Sequence, residues 1–375
     1  MKGLGRYAVP LCAAAAVTVA WGGHELPVYP SFYPHEIEIK SLAPEQAAGE
    51  LHDGKIQAYV GEGPSLAGVP PDRIRAIESL GSFVVVRINP DSAAMRAETS
   101  ACAAANSVIR ALAGQSGFIP HPYPVTPFHG DYLHHADLAA AAKARFSGGE
   151  APVDDLRVKA RGRLARNHPK WSAHDADWDA EVVEVDAAEL TASAMLSMNG
   201  WLAPLWVKTG WFHAERLLAD SVDDAERRQH VESNLARLEA GAFSGLVERI
   251  NLERDLVTAL TGTCRKVVAG YTVKREYVNV EYSAGIENIG YDSIAGLNSP
   301  IFIRTVKLKD FPWNGWLTLG TGGKPTAAWN PIGGMTDPFG RLMGFTVGDP
   351  ALIPSPYDAG WMLNRIADVQ SSPGP

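Results

Sequence analysis

Hydrophobic and polar positions change their period several times along this chain. Phe83-Val84-Val85-Val86-Arg87-Ile88 is a compact β-branched run that reads as a strand. The tetrad Asn89-Pro90-Asp91-Ser92 follows and can cap a helix through the Ala-rich stretch that ends at Leu112, with Gly114 as the stop. Past a loop-like Gly148 to Asp155, helix formers dominate Ala187 to Leu202, Phe212 to Leu218 and Asp223 to Leu238. Val231, Leu235 and Leu238 fall on one face of the last of these, and Gly241 ends it. Leu246, Ile250, Val257 and Leu260 mark another amphipathic helix, and the two are expected to pair antiparallel. After Cys264 the pattern turns to strands, at Val267 to Val273, Tyr277 to Tyr282 and Ile301 to Leu308. The fold class expected is α+β, a helical middle segment packed with a mostly antiparallel β-rich C-terminal part.

The first residues follow a different rule. Lys2 and Arg6 precede an apolar run from Tyr7 to Trp21, and the first acid is Glu25. A basic start followed by a short hydrophobic stretch is the form of an export signal. At about fifteen residues the run is shorter than the roughly twenty a spanning helix needs, which favours a cleaved signal over an N-terminal membrane anchor. The organisation expected is a signal sequence or anchor over 1–23, an N-terminal α/β region over 24–147, and 148–375 as a helical hairpin with β-rich segments and irregular loops. Within the second region, 24–41 is rich in Pro and aromatics and reads as an extended arm. The location implied is extracytoplasmic, most simply the periplasm, with a membrane contact only through an uncleaved N-terminal segment.

Composition narrows the partners. The chain is 46% hydrophobic and 20% charged, with a formal charge of −8, so it lacks the clustered Lys and Arg that nucleic-acid binding requires. Apart from Cys12 it has Cys102 and Cys264, and export would place them where disulfides persist. Two separate thiols or one bond are both open to them. There is no CxxC spacing for haem attachment or thiol redox chemistry.

Candidate chemistry concentrates in two places. His129-Gly130-Asp131-Tyr132-Leu133-His134-His135-Ala136-Asp137, with His121 just before it, offers the imidazole and carboxylate ligands of a divalent transition-metal site. Adjacent His134 and His135 cannot point the same way, so one of them would join His129 and Asp131. Asp175, Asp177 and Asp179 resemble the opening of a calcium loop, but the sixth position is Ala180 where a glycine makes the turn. No Gly-x-Ser-x-Gly elbow occurs. From Asp310 on, the chain is dense in Trp, Gly and Pro, and Trp313, Trp316 and Trp329 on such loops are candidates for ligand contact. The function expected is an exported binding or accessory protein for a small molecule or partner protein. The alternative is a metal-assisted hydrolase or oxidoreductase centred on His121 to Asp137, with one divalent metal ion as its cofactor.

Overall fold

The computed structural model describes residues 34–63, 66, 72–147, 153, 155–166, 168, 171, 177–198, 203–310, 315–330 and 333–368. The expected signal segment, most of the extended arm, Asp175 and Trp313 lie outside these. In chain order the strands are β1 (Glu36–Ser41), β2 (Ala58–Val60), β3 (Ile74–Ile88), β4 (Phe118–Pro120), β5 (Val158–Ala160), β6 (Ala180–Asp186), β7 (Lys266–Asn279), β8 (Ile286–Asn288), β9 (Lys307–Leu308), β10 (Trp316–Thr321), β11 (Leu352–Pro354) and β12 (Trp361–Leu363). The helices are α1 (Pro44–His52), α2 (Glu98–Leu112), α3 (Ala136–Ser147), α4 (Arg163–Arg166), α5 (Ala187–Ser197), α6 (Gly210–Leu218), α7 (Ala225–Glu239), α8 (Leu246–Leu260), α9 (Pro300–Thr305) and α10 (Pro338–Val347). The fold is α+β, as the sequence pattern implies.

Two long antiparallel strands hold it together. Arg75 of β3 faces Val278 of β7 at one end of the pair, and Arg87 faces Lys266 at the other. Around them runs an eight-stranded mixed sheet in the order β1-β10-β2-β7-β3-β6-β5, with β4 also on β7. Strands from both ends of the sequence meet here: β10 lies parallel to β1 and β2, and β2 pairs antiparallel with β7.

The apolar run Phe83–Val86 of β3 is explained by burial on both faces. Phe83 and Val85 pack with Trp211, Phe212, Leu256 and Leu260 on one side of the sheet. Val84, Val86 and Ile88 pack with Ala101, Val108 and Leu112 of α2 on the other. A register shift between Leu80 and Phe83 interrupts the ladder at Gly81. A Cβ there would sit 2.6 Å from Thr272 Oγ1, the oxygen that accepts the Ser82 N–H at 2.9 Å.

The helical middle follows the apolar spacing. α7 and α8 run antiparallel, tied by Arg237 to Glu248 at one end and by His230 to Asp255 at 2.7 Å at the other. Cys102 on α2 is disulfide-bonded to Cys264, two residues before the start of β7. The bond spans 162 residues and joins a helix on one face of the sheet to its central strand. No helix among the described residues is long and apolar enough to cross a membrane.

Three local expectations are corrected. Residues 300–305 form a helix, with Pro300 in its first turn and Ile301, Phe302 and Ile303 all buried; only Lys307 and Leu308 are strand. Val267 to Val273 and Tyr277 to Asn279 belong to one strand, β7. The Asn89 to Ser92 tetrad does not cap α2, which begins at Glu98 after Ala97. Its polar groups go sideways: Ser92 Oγ donates to Asp179 at 2.6 Å, and Asn89 Nδ2 donates to the Trp178 carbonyl at 2.7 Å.

Candidate functional site

The histidine-rich segment folds as a loop that enters a short 3-10 turn, Tyr132–His135, and then α3. It packs against α6 and α8 beneath the sheet. His129 is fully buried and stacks on Phe83 at 6.0 Å between centroids. Its Nδ1 accepts the Thr126 backbone N–H at 2.9 Å, which places its proton on Nε2. That N–H donates to His213 Nδ1 at 3.0 Å, and His213 Nε2 in turn donates to Thr191 Oγ1 at 2.9 Å. Thr191 closes the chain by donating to the Ala187 carbonyl at 2.9 Å. Burial pushes the His129 pKa down to about 3 and that of His213 well below its usual value, so both rings are neutral. With Nδ1 accepting and Nε2 donating, His129 has no nitrogen left to ligate a metal.

Asp131 and His135 have a different environment. Asp131 is a detached cap for α6: its carboxylate accepts the Gly210 N–H at 3.0 Å and the Trp211 N–H at 3.4 Å. Gly210 is required for this approach, because a Cβ there would lie 2.4 Å from Val125 Cγ1. Gly130 has a similar role, since its Cβ would lie 2.9 Å from the Asp358 Cα in the loop that covers this region.

His135 is fully buried, with Nδ1 2.9 Å from the Tyr123 hydroxyl and Nε2 without a hydrogen-bond partner. Glu253 of α8 joins them. One oxygen from each of Asp131 and Glu253 and one ring nitrogen of His135 all lie within 4.8 Å of one another. Glu253 is 4% exposed; Oε1 is 3.4 Å from Arg249 Nε, and Oε2 has no partner. Burial, reinforced by Asp131, pushes the Glu253 pKa up to about 7, and burial pushes His135 down to about 4. Burial also raises Asp131.

The remaining predicted residues are distributed elsewhere. His134 is half-buried, and its carbonyl accepts from Arg254, which also makes a two-point pair with Asp137 at 2.7 Å on each nitrogen. His121 donates from Nε2 to the Val125 carbonyl at 2.9 Å, while burial lowers its pKa. Of the calcium-like acids, Asp179 is clamped by Arg157 at 2.8 and 2.9 Å, and Asp177 pairs with the same guanidinium. The Arg157 guanidinium supplies the positive charge beside both acids. Trp316 and Trp329 are 61% and 65% exposed.

A cleft of about 260 Å³ opens on the other side of Tyr123. Its walls are mostly apolar, from Tyr123, Leu138, Ala142, Leu218 and Val268, and Arg145 and Lys266 stand at its margin. Arg145 lies against the disulfide, with Nη2 3.0 Å from Cys264 Sγ, while Lys266 pairs with Asp220 at 2.7 Å.

Neither His213 nor Glu253 was singled out in the sequence. Glu253 did leave a signal, for it occupies the step between Ile250 and Val257 in the apolar stripe of α8.

No protein-family model matches the chain, and no curated protein does either. Solved structures with partial similarity include HbpA2 from Haemophilus parasuis, covering 70% of this chain and 56% of its own at 10% identity and a TM-score of 0.43. The oligopeptide-binding protein AppA from Bacillus subtilis, in complex with a nonapeptide, covers 70% and 58% at 10% identity and a TM-score of 0.39. NikZ from Campylobacter jejuni, in complex with Ni(L-His), covers 64% and 55% at 16% identity and a TM-score of 0.32. The chain thus spans little more than half the length of these proteins, and at such scores no residue role is transferred from them.

Proposed function

We propose that this protein is an extracytoplasmic binding protein whose ligand is a small organic anion with an apolar body, held in the cleft between α3 and β7. The observation that carries this reading is the cleft itself. Its apolar walls would desolvate a hydrophobic body, while Arg145 and Lys266 at the margin suit a carboxylate. Arg145 makes no ion pair among the described residues, its guanidinium donating to the Thr261 carbonyl at 3.4 Å and lying over the Phe146 ring, whereas Lys266 already has Asp220. The extracytoplasmic location is supported by the basic and apolar start of the chain together with the Cys102–Cys264 bond.

The test is calorimetric titration with octanoate, 3-phenylpropionate and N-acetylphenylalanine, each beside its uncharged amide. Saturable binding of an acid in preference to its amide, weakened about tenfold or more in Arg145→Gln, supports the reading. Equal binding of acid and amide, or no effect of Arg145→Gln, contradicts the role given to the cation.

A further inference from the structure

We propose that Asp131, His135 and Glu253 form a binding site for one divalent transition-metal ion of the zinc or cobalt kind, which joins the turn before α3 to α6 and α8. One nitrogen and two carboxylate oxygens are a ligand set that such ions accept. The three donor atoms already lie within 4.8 Å of one another. Bonds of 2.0–2.2 Å in tetrahedral geometry require separations of about 3.4 Å, so the side chains need only contract around an ion.

Three features set this cluster apart from a set of acids that happen to be neighbours. His135 Nε2 and Glu253 Oε2 are buried with no hydrogen-bond partner, a state that a folded protein normally avoids. The supports of a metal site are present: the Tyr123 hydroxyl fixes His135 Nδ1, and the Gly210 and Trp211 amides fix Asp131. Of the nearby cations, Arg254 is held by Asp137 and the His134 carbonyl, and Arg249 Nε lies 3.4 Å from Glu253 Oε1, which leaves Oε2 for an ion. Glu98, Cys102 and Cys264 also approach one another, but both sulfurs are consumed in the disulfide. Because all three ligands are buried, the ion would act as a staple, with no wall open to a substrate.

The site is independent of the cleft ligand, and its test is different. Chelator-treated, folded protein is titrated with Zn²⁺ and with Co²⁺, read by calorimetry, melting temperature and the visible spectrum of the cobalt form. The expected result is one ion per chain, a raised melting temperature, and a cobalt spectrum of a nitrogen–oxygen site. Glu253→Gln and His135→Gln should each weaken binding by more than about 100-fold, beyond the effect of losing a supporting residue, while His134→Gln leaves it intact. Glu253→Gln is nearly isosteric and removes a buried charge, so it keeps the test decisive where His135→Gln fails to fold. No stoichiometric binding by the wild type, or binding unchanged in Glu253→Gln, overturns the proposal.

Discussion

His129 Nε2 lies 3.0 Å from His213 Nδ1, and the backbone N–H of Thr126 on the far side of His129 fixes the direction of that bond. Two imidazoles packed around Phe83 in the core, one stacked and one edge-on, are therefore neutral parts of a one-way chain that ends at the Ala187 carbonyl.

Acid should destabilise the protein through these rings. An unfolded histidine takes up a proton below about pH 6.5, while the buried ones resist it, His129 down to about pH 3 and His135 to about pH 4. With folded values depressed, the native state binds fewer protons and stability is lost as pH falls from about 6.5 toward those values. At pH 5 His129 and His135 are each expected to cost about 2 kcal/mol relative to pH 7.5, and His213 acts in the same direction. Glu253 has the opposite sign: its folded value of about 7 makes the native state gain protons first, returning about 2 kcal/mol over the same range. The histidines win. Urea midpoints of metal-free protein should therefore fall between pH 7.5 and 5, and fall further in Glu253→Gln. A flat profile would show that the rings are not held neutral.

Breaking the disulfide should be costly. Closing a loop of 162 residues restricts the unfolded chain, and chain-entropy arithmetic sets about 5 kcal/mol as the upper figure. Cys102→Ser with Cys264→Ser is expected to lose about 2–5 kcal/mol by urea unfolding, and dithiothreitol should lower the wild-type melting temperature but not that of the double variant.

Gly210→Ala places a methyl group 2.4–2.8 Å from the Val125 side chain, at the start of the helix that Asp131 caps. Overpacking costs about 1–3 kcal/mol, and displacing the cap adds about 1. Gly49→Ala, at a position with nothing within 4 Å of the new methyl, is the control and should be neutral or slightly stabilising. Similar losses in both would contradict a packing role for Gly210.

Much of the architecture was legible in the chain because one local rule governed it. The apolar run Phe83–Ile88 required burial on both faces, and the spacing of Val231, Leu235 and Leu238 required a packed helix face. The segment 301–308 was not legible, since a short apolar run fits a buried helix turn as well as a strand until its neighbours decide. At the site, Asp131 and His135 were found by residue type, but their partners were not. His213 is 84 residues from His129 in sequence and sits in an ordinary apolar helix pattern. Glu253 was visible only as an acid in an apolar step, a mark that a polar break on a surface helix also leaves.

The binding role in the cleft is tested most directly by following backbone amide chemical shifts while 3-phenylpropionate is added to wild-type protein and to Ala142→Trp, whose indole would fill the cleft. The account predicts saturable shifts grouped at Leu138, Ala142, Thr261 and Val268 in the wild type, and their loss in the filled variant. Saturable shifts that persist in Ala142→Trp, or that cluster away from these residues, would contradict it.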